Sequence, residues 1–81
     1  MFEVYILECI DGSLYTGYAR DVDKRFQLHV VGKGAKYTAS HPPKEILYRK
    51  KFETKSEAMK EEWRIKGLTK KEKMSLITIS N

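Results

Sequence analysis

Apolar residues fall into blocks along the 81-residue chain, and turn chemistry separates the blocks. Phe2 to Cys9 reads Phe-Glu-Val-Tyr-Ile-Leu-Glu-Cys, short and rich in aromatic and β-branched residues, which predicts a strand. Leu14 to Ala19 predicts the return strand, with Asp11-Gly12 marking the turn between them. Asp21 then reads as an N-cap, and Val22, Phe26 and Val30 recur at helical spacing, so an amphipathic helix is expected up to Gly32. Lys33 to His41 predicts a loop with a helical turn, and Pro42-Pro43 interrupts regular structure. Ile46 to Phe52 predicts a third strand. Thr54-Lys55-Ser56-Glu57 fits a capping box, opening a helix that ends at Gly67, and Thr69-Lys70-Lys71-Glu72 fits a second, opening a last helix through Met74, Leu76 and Ile77.

The expected order is β-β-α-β-α-α. The fold class is α+β, a small three-stranded sheet, antiparallel or mixed, flanked by helices. Residues 1–81 are expected to form a single domain, which at this size buries about 60% of its unfolded surface.

Composition narrows the classes of function. An apolar content of 41% is enough for a core and argues against disorder. Sixteen Lys and Arg against eleven Asp and Glu give a net charge of +5. That charge points to a polyanion, though plain solubility explains it equally well. The lone cysteine, Cys9, cannot staple a fold and suits a reduced compartment. Met1 leads straight into a strand-like segment, so no signal peptide is expected, and no apolar run approaches a membrane span. A cytoplasmic location is expected.

Several residues stand out from this pattern. On the helix after Thr54, Ala58, Met59 and Ile65 mark an apolar stripe that Trp63 widens, while Glu57, Lys60, Glu61 and Arg64 fall opposite. Glu62 lies inside the stripe, four residues after Ala58 and three before Ile65. A carboxylate there needs a partner, either a cation in a partly buried ion pair or a metal at the floor of a cleft. Arg25 and His29 share one face of the first helix, at the rim of its stripe. Arginine grips phosphate with two prongs, yet a solvated Arg beside an ordinary His fits the same spacing. Tyr5, Tyr15 and Tyr18 stand on the hairpin, where tyrosine is common anyway. A phenol needs neighbouring positive charge to serve as a base near neutral pH. Lys33, Lys36, Tyr37, Arg49 and Lys51 interleave cations and aromatics, a pattern suited to phosphates and stacked bases as well as to a solvated surface.

In their order, these residues resemble the GIY-YIG nuclease family. Val4-Tyr5-Ile6 stands for the first motif, without its glycine, and Tyr15-Thr16-Gly17 for the second. Arg25 and His29 match the helical Arg and the His one turn later; Glu62 matches the metal-binding Glu of a later helix. Gly34-Ala35-Lys36-Tyr37-Thr38 and the segment from Lys66 to Lys73 look like the small stand-alone bacterial branch. The resemblance implies a metal-dependent endonuclease acting on nucleic acid, DNA more than RNA, without a membrane or an obligate protein partner. It implies one Mg²⁺ or Mn²⁺ on Glu62 and phosphate stabilisation by Arg25. Tyr15 is implied as proton acceptor, aided by Tyr5 and His29. The alternatives are a non-catalytic nucleic-acid-binding module that keeps the fold, and an adaptor using its basic face on an acidic protein.

That chemistry requires Tyr5 and Tyr15 on one face of the sheet. A two-residue turn at Asp11-Gly12 sets Tyr15 opposite Glu8 and separates them. A three-residue loop, Ile10-Asp11-Gly12, with Gly12 at positive φ sets Tyr15 opposite Leu7 and Gly17 opposite Tyr5, where it leaves the ring room. The second register is expected.

The dispersed lysines predict weak, salt-dependent binding to nucleic acid. With about four phosphates contacted, the log–log slope of affinity against salt should lie near −3 to −4. Affinity that stays flat from low to physiological salt would overturn this.

Overall fold

The hairpin register follows from one glycine. In the computed structural model, which describes residues 1–80, Gly12 lies at φ 84°, a region that a side chain disfavours. Its N–H donates to the Cys9 carbonyl at 2.9 Å, and the Cys9 N–H to the Ser13 carbonyl at 2.8 Å, closing the three-residue loop. Strand β1 (Phe2–Cys9) therefore pairs with β2 (Leu14–Ala19) so that Leu7 faces Tyr15 and Tyr5 faces Gly17. Both tyrosines lie on the same face, in the expected register.

After the hairpin come α1 (Val22–Val30), α2 (Lys36–Ser40), β3 (Pro43–Phe52), α3 (Lys55–Lys66) and α4 (Lys70–Ser80). The expected order holds, with the helical turn after Lys33 realised as the five-residue α2. The sheet is fully antiparallel in the order β2-β1-β3, so β1 is central. Strand β3 begins at Pro43, earlier than the expected Ile46. Proline is tolerated there because it is the first residue of an edge strand, and a register shift lets it pair with Cys9.

Both faces of β1 are covered. Val4 and Ile6 pack with Tyr48, with Ala58 and Ile65 of α3, and with Ile77 of α4. Tyr5 and Leu7 pack on the opposite face with Ala19 and with Val22 of α1. All the expected helix starts are capped. The Asp21 carboxylate accepts from the Lys24 N–H at 3.0 Å. The boxes Thr54/Glu57 and Thr69/Glu72 close reciprocally. Among the described residues, no helix is long and apolar enough to cross a membrane.

The helix faces depart from the apolar reading. On α1, Val30 is 51% exposed and His29 fully buried. At 3.6 residues per turn, position i+7 returns to about 20° from Val22, whereas i+8 overshoots by about 80°. On α3 the same arithmetic turns Ala58, Glu61, Glu62 and Ile65 inward. It leaves Met59 and Trp63 exposed, so neither joins the stripe. Glu61, expected on the outer side, is shielded and paired with Arg64 at 2.7 Å.

Gly17 has no room for a side chain. A Cβ there would sit 2.6 Å from the Tyr5 hydroxyl oxygen and 2.8 Å from its ring carbon. Gly17→Ala should therefore destabilise the protein by about 1–3 kcal/mol in denaturant titrations, the usual penalty of overpacking. A variant as stable as the parent would show that the ring has space to move.

Candidate active site

A cleft of about 640 Å³ runs beside the exposed edge of β2. Strand β2 contributes Tyr15, Gly17, Tyr18 and Ala19, the loop after it Arg20 and Asp21, α1 Lys24, Arg25 and Leu28, and α3 Lys55 and Glu62. Helices α1 and α3 lie on opposite faces of the sheet, so only at its edge can both line one space. Tyr5 forms part of the wall from the central strand. Four cations, Arg20, Lys24, Arg25 and Lys55, meet two carboxylates, Asp21 and Glu62. The balance favours a polyanion.

His29 does not line the cleft. It is fully buried behind Tyr5, and the Tyr5 hydroxyl lies 2.8 Å from its Nε2. On the far side, His29 Nδ1 lies 2.6 Å from Oγ1 of the buried Thr38. The ring also rests on Gly34, where a Cβ would overlap Nδ1 and its neighbouring ring carbons. Tyr15 closes the group, its ring edge-on to His29 at 5.2 Å and tilted against Tyr5 at 6.5 Å.

Burial decides the protonation states. It pushes the Tyr5 phenol well above its ordinary value, the neighbouring Tyr15 adding to the effect and Arg25 opposing it. Burial, followed by Arg25, holds the His29 imidazole below its ordinary 6.5. The positive surroundings expected to ease a phenol's ionisation do not do so at Tyr5, because desolvation outweighs Arg25. Neutral imidazole is thus the favoured form near pH 7, and it is the stronger base of the hydrogen-bonded pair.

Glu62 is largely shielded in the cleft wall, and its carboxylate lies 3.5 Å from Lys66 Nζ. Lys66 is half exposed, so this pair is a weak tether rather than a buried partner. No group of three or more His, Cys, Asp or Glu that suits a metal occurs among the described residues. A lone carboxylate still fits Mg²⁺ or Mn²⁺, which often take one protein carboxylate and fill their remaining positions with water and substrate phosphate.

The expected nucleic-acid contacts are not gathered in the cleft. Lys33, Lys36 and Lys51 point to solvent elsewhere. Arg49 is committed to Glu3 at 3.0 Å and to Asp23 at 3.0 Å. Tyr37 stacks between Tyr15 at 5.9 Å and His41 at 4.0 Å, extending the tyrosine group outward. Sequence reasoning missed Arg20 and Lys24 as cleft cations, and Gly34 and Thr38 as partners of His29. Lys24, one residue before Arg25, was the most legible of these.

A family model described as the GIY-YIG catalytic domain matches residues 1–75. A UPF0213 protein of Oceanobacillus iheyensis is 60% identical over 74 residues, covering 91% of this chain and 86% of that protein. Another, from Staphylococcus saprophyticus, is 49% identical over 75 residues, with 93% and 92% coverage. The solution NMR structure of a UPF0213 protein from Bacillus halodurans superposes with a TM-score of 0.62 at 46% identity, covering 98% of this chain and 85% of that one.

The buried imidazole gives stability a sign in pH. The unfolded chain takes up the His29 proton near 6.5, and the folded state only at lower pH. Stability from this residue is therefore complete above 6.5 and falls as pH drops below it, toward the folded-state pKa. Unfolding free energy measured from about pH 7.5 to about pH 5.5 should decline more steeply in the parent than in His29→Gln. Equal slopes would show that His29 does not carry the effect.

Proposed function

The chain belongs to the GIY-YIG family of nuclease domains, and on that premise we propose that it is a metal-dependent endonuclease hydrolysing phosphodiester bonds of nucleic acid, with DNA as the first substrate to test. One observation carries this reading: Tyr5, Tyr15, Arg25 and Glu62 line one basic cleft, and a buried, neutral His29 is hydrogen-bonded directly behind Tyr5.

Phosphate enters between the cleft cations, with Arg25 stabilising the charge that builds on the phosphoryl oxygens. Glu62 would hold one divalent ion, Mg²⁺ or Mn²⁺, which would supply electrophilic stabilisation of the charge that builds during cleavage. The attacking water gives its proton to Tyr5 Oη as the Tyr5 hydroxyl proton passes to His29 Nε2. No phenolate has to persist, which matters because burial makes that anion costly. This assigns the acceptor to Tyr5 in place of Tyr15, since Tyr5 alone of the two has the imidazole at hydrogen-bond distance. Tyr15 packs against both rings and orients the water. Arg20, Lys24 and Lys55 hold flanking phosphates, while Tyr37, stacked on Tyr15, extends the site outward.

Glu62→Ala separates chemistry from binding. Cleavage of a panel of DNA and RNA substrates should require Mg²⁺ or Mn²⁺ in the parent and vanish in the variant. Binding without metal should be unchanged or tighter, because a negative charge has left the cleft. The fold should survive, since the partner left behind, Lys66, is half exposed and stays hydrated, and a pair screened in this way contributes about 0–1 kcal/mol. Added metal should raise the melting temperature of the parent but not of the variant. A parent indifferent to metal, with a variant that unfolds, would make Glu62 a structural residue.

A further inference from the structure

The shielded chain of polar groups behind Tyr5 continues past the imidazole, and its far end decides which way the protons point. Thr38 Oγ1 has a single proton and two neighbours within reach: His29 Nδ1 at 2.6 Å and the Ala35 carbonyl oxygen at 3.2 Å. The carbonyl can only accept. Were Thr38 to donate to His29 instead, two oxygens would face each other at 3.2 Å with no proton between them. Donation to Ala35 avoids that repulsion and leaves a lone pair of Oγ1 facing His29.

We infer that Thr38 is a positioning residue that fixes His29 in the Nδ1–H tautomer, so that the bare Nε2 faces the Tyr5 hydroxyl. The order is then Tyr5 O–H to His29 Nε2, His29 Nδ1–H to Thr38 Oγ1, and Thr38 O–H to the Ala35 carbonyl. Gly34 completes the socket, its missing side chain being the space that the imidazole occupies. The inference rests on the proposed function only where it concerns rate. In that reaction the Tyr5 proton moves to Nε2, the water proton replaces it on Oη, and the resulting imidazolium keeps its Nδ1–H on Thr38. The opposite tautomer would present an N–H to Tyr5 and leave no base to receive the proton.

A structural role for Thr38 alone predicts lost stability and nothing more. The test therefore begins with ¹⁵N NMR of the His29 ring, which needs no substrate. The parent should show a protonated Nδ1 and a bare Nε2. Thr38→Val keeps the shape but removes the acceptor, so the ring should shift toward the Nε2–H form. Thr38→Ser should restore the parental tautomer. In cleavage assays Thr38→Val should lose about ten- to a hundredfold in kcat, as when the partner that orients a functional histidine is removed. KM should not change, because Thr38 is buried away from the cleft, and Thr38→Ser should recover the rate. An Nε2–H tautomer in the parent overturns the inference even if Thr38→Val fails to fold. So does a Thr38→Val ring that keeps its Nδ1 proton, or one that switches tautomer with no loss of rate. A parent that cuts no nucleic acid, yet has a tautomer that follows Thr38, removes the proposed function and leaves the tautomer assignment standing.

Discussion

The hydrogen bond between Tyr5 and His29 constrains the rest of the molecule. It joins the central strand to the first helix across 24 residues, and both side chains are essentially out of solvent. Two polar groups so placed are tolerable only if they satisfy each other, because an unpaired buried donor or acceptor costs about 1–3 kcal/mol. Each ring then demands space: Tyr5 occupies the place of a side chain at Gly17, and His29 the place of one at Gly34. The turn at Gly12 sets the register that brings Gly17 opposite Tyr5. Two segments distant in sequence are thus shaped around one bond, and the cleft takes its inner wall from the same ring.

Charge is arranged with a similar division. Cations that other parts of the fold need are neutralised locally, as with Arg49 between Glu3 and Asp23, and Arg64 on Glu61. The cations along the β2 edge, Arg20, Lys24, Arg25 and Lys55, have no such carboxylate partners among the described residues and line the cleft. The net charge of +5 therefore understates how basic this edge is. Glu62 holds only a half-exposed lysine, which a stronger electrophile would displace at little cost.

Much of this was legible in the sequence wherever the determining interaction is local. Gly12 announced its turn, Thr54 and Thr69 their caps, and the offsets from Ala58 and Ile65 placed Glu62 on the inner face. The misreadings have a common origin, since ranking by hydrophobicity gives a large apolar residue the inward position. That ranking turned Trp63 and Val30 inward and left His29 at the rim. The backbone follows the helical period instead, and the imidazole is admitted because Tyr5 and Thr38 satisfy both its nitrogens. Thr38 was invisible as a partner because its stretch reads as loop. The engagement of Arg49 was hidden because its carboxylates lie 46 and 26 residues away.

The central position of β1 also has a kinetic side. The hydrogen bonds that link Tyr5, His29 and Thr38 lie between residues 5 and 38, with separations of 24 and 9 residues. Pairing of β1 with β3 joins residues as far apart as Phe2 and Phe52, and Glu62 comes later still. Loop-closure entropy favours the nearer contacts first. During synthesis, moreover, the hairpin and first helix leave the ribosome ahead of the third. That ordering favours the meeting of the tyrosines and imidazole ahead of the acidic group. The cleft is complete only when these long-range contacts have closed.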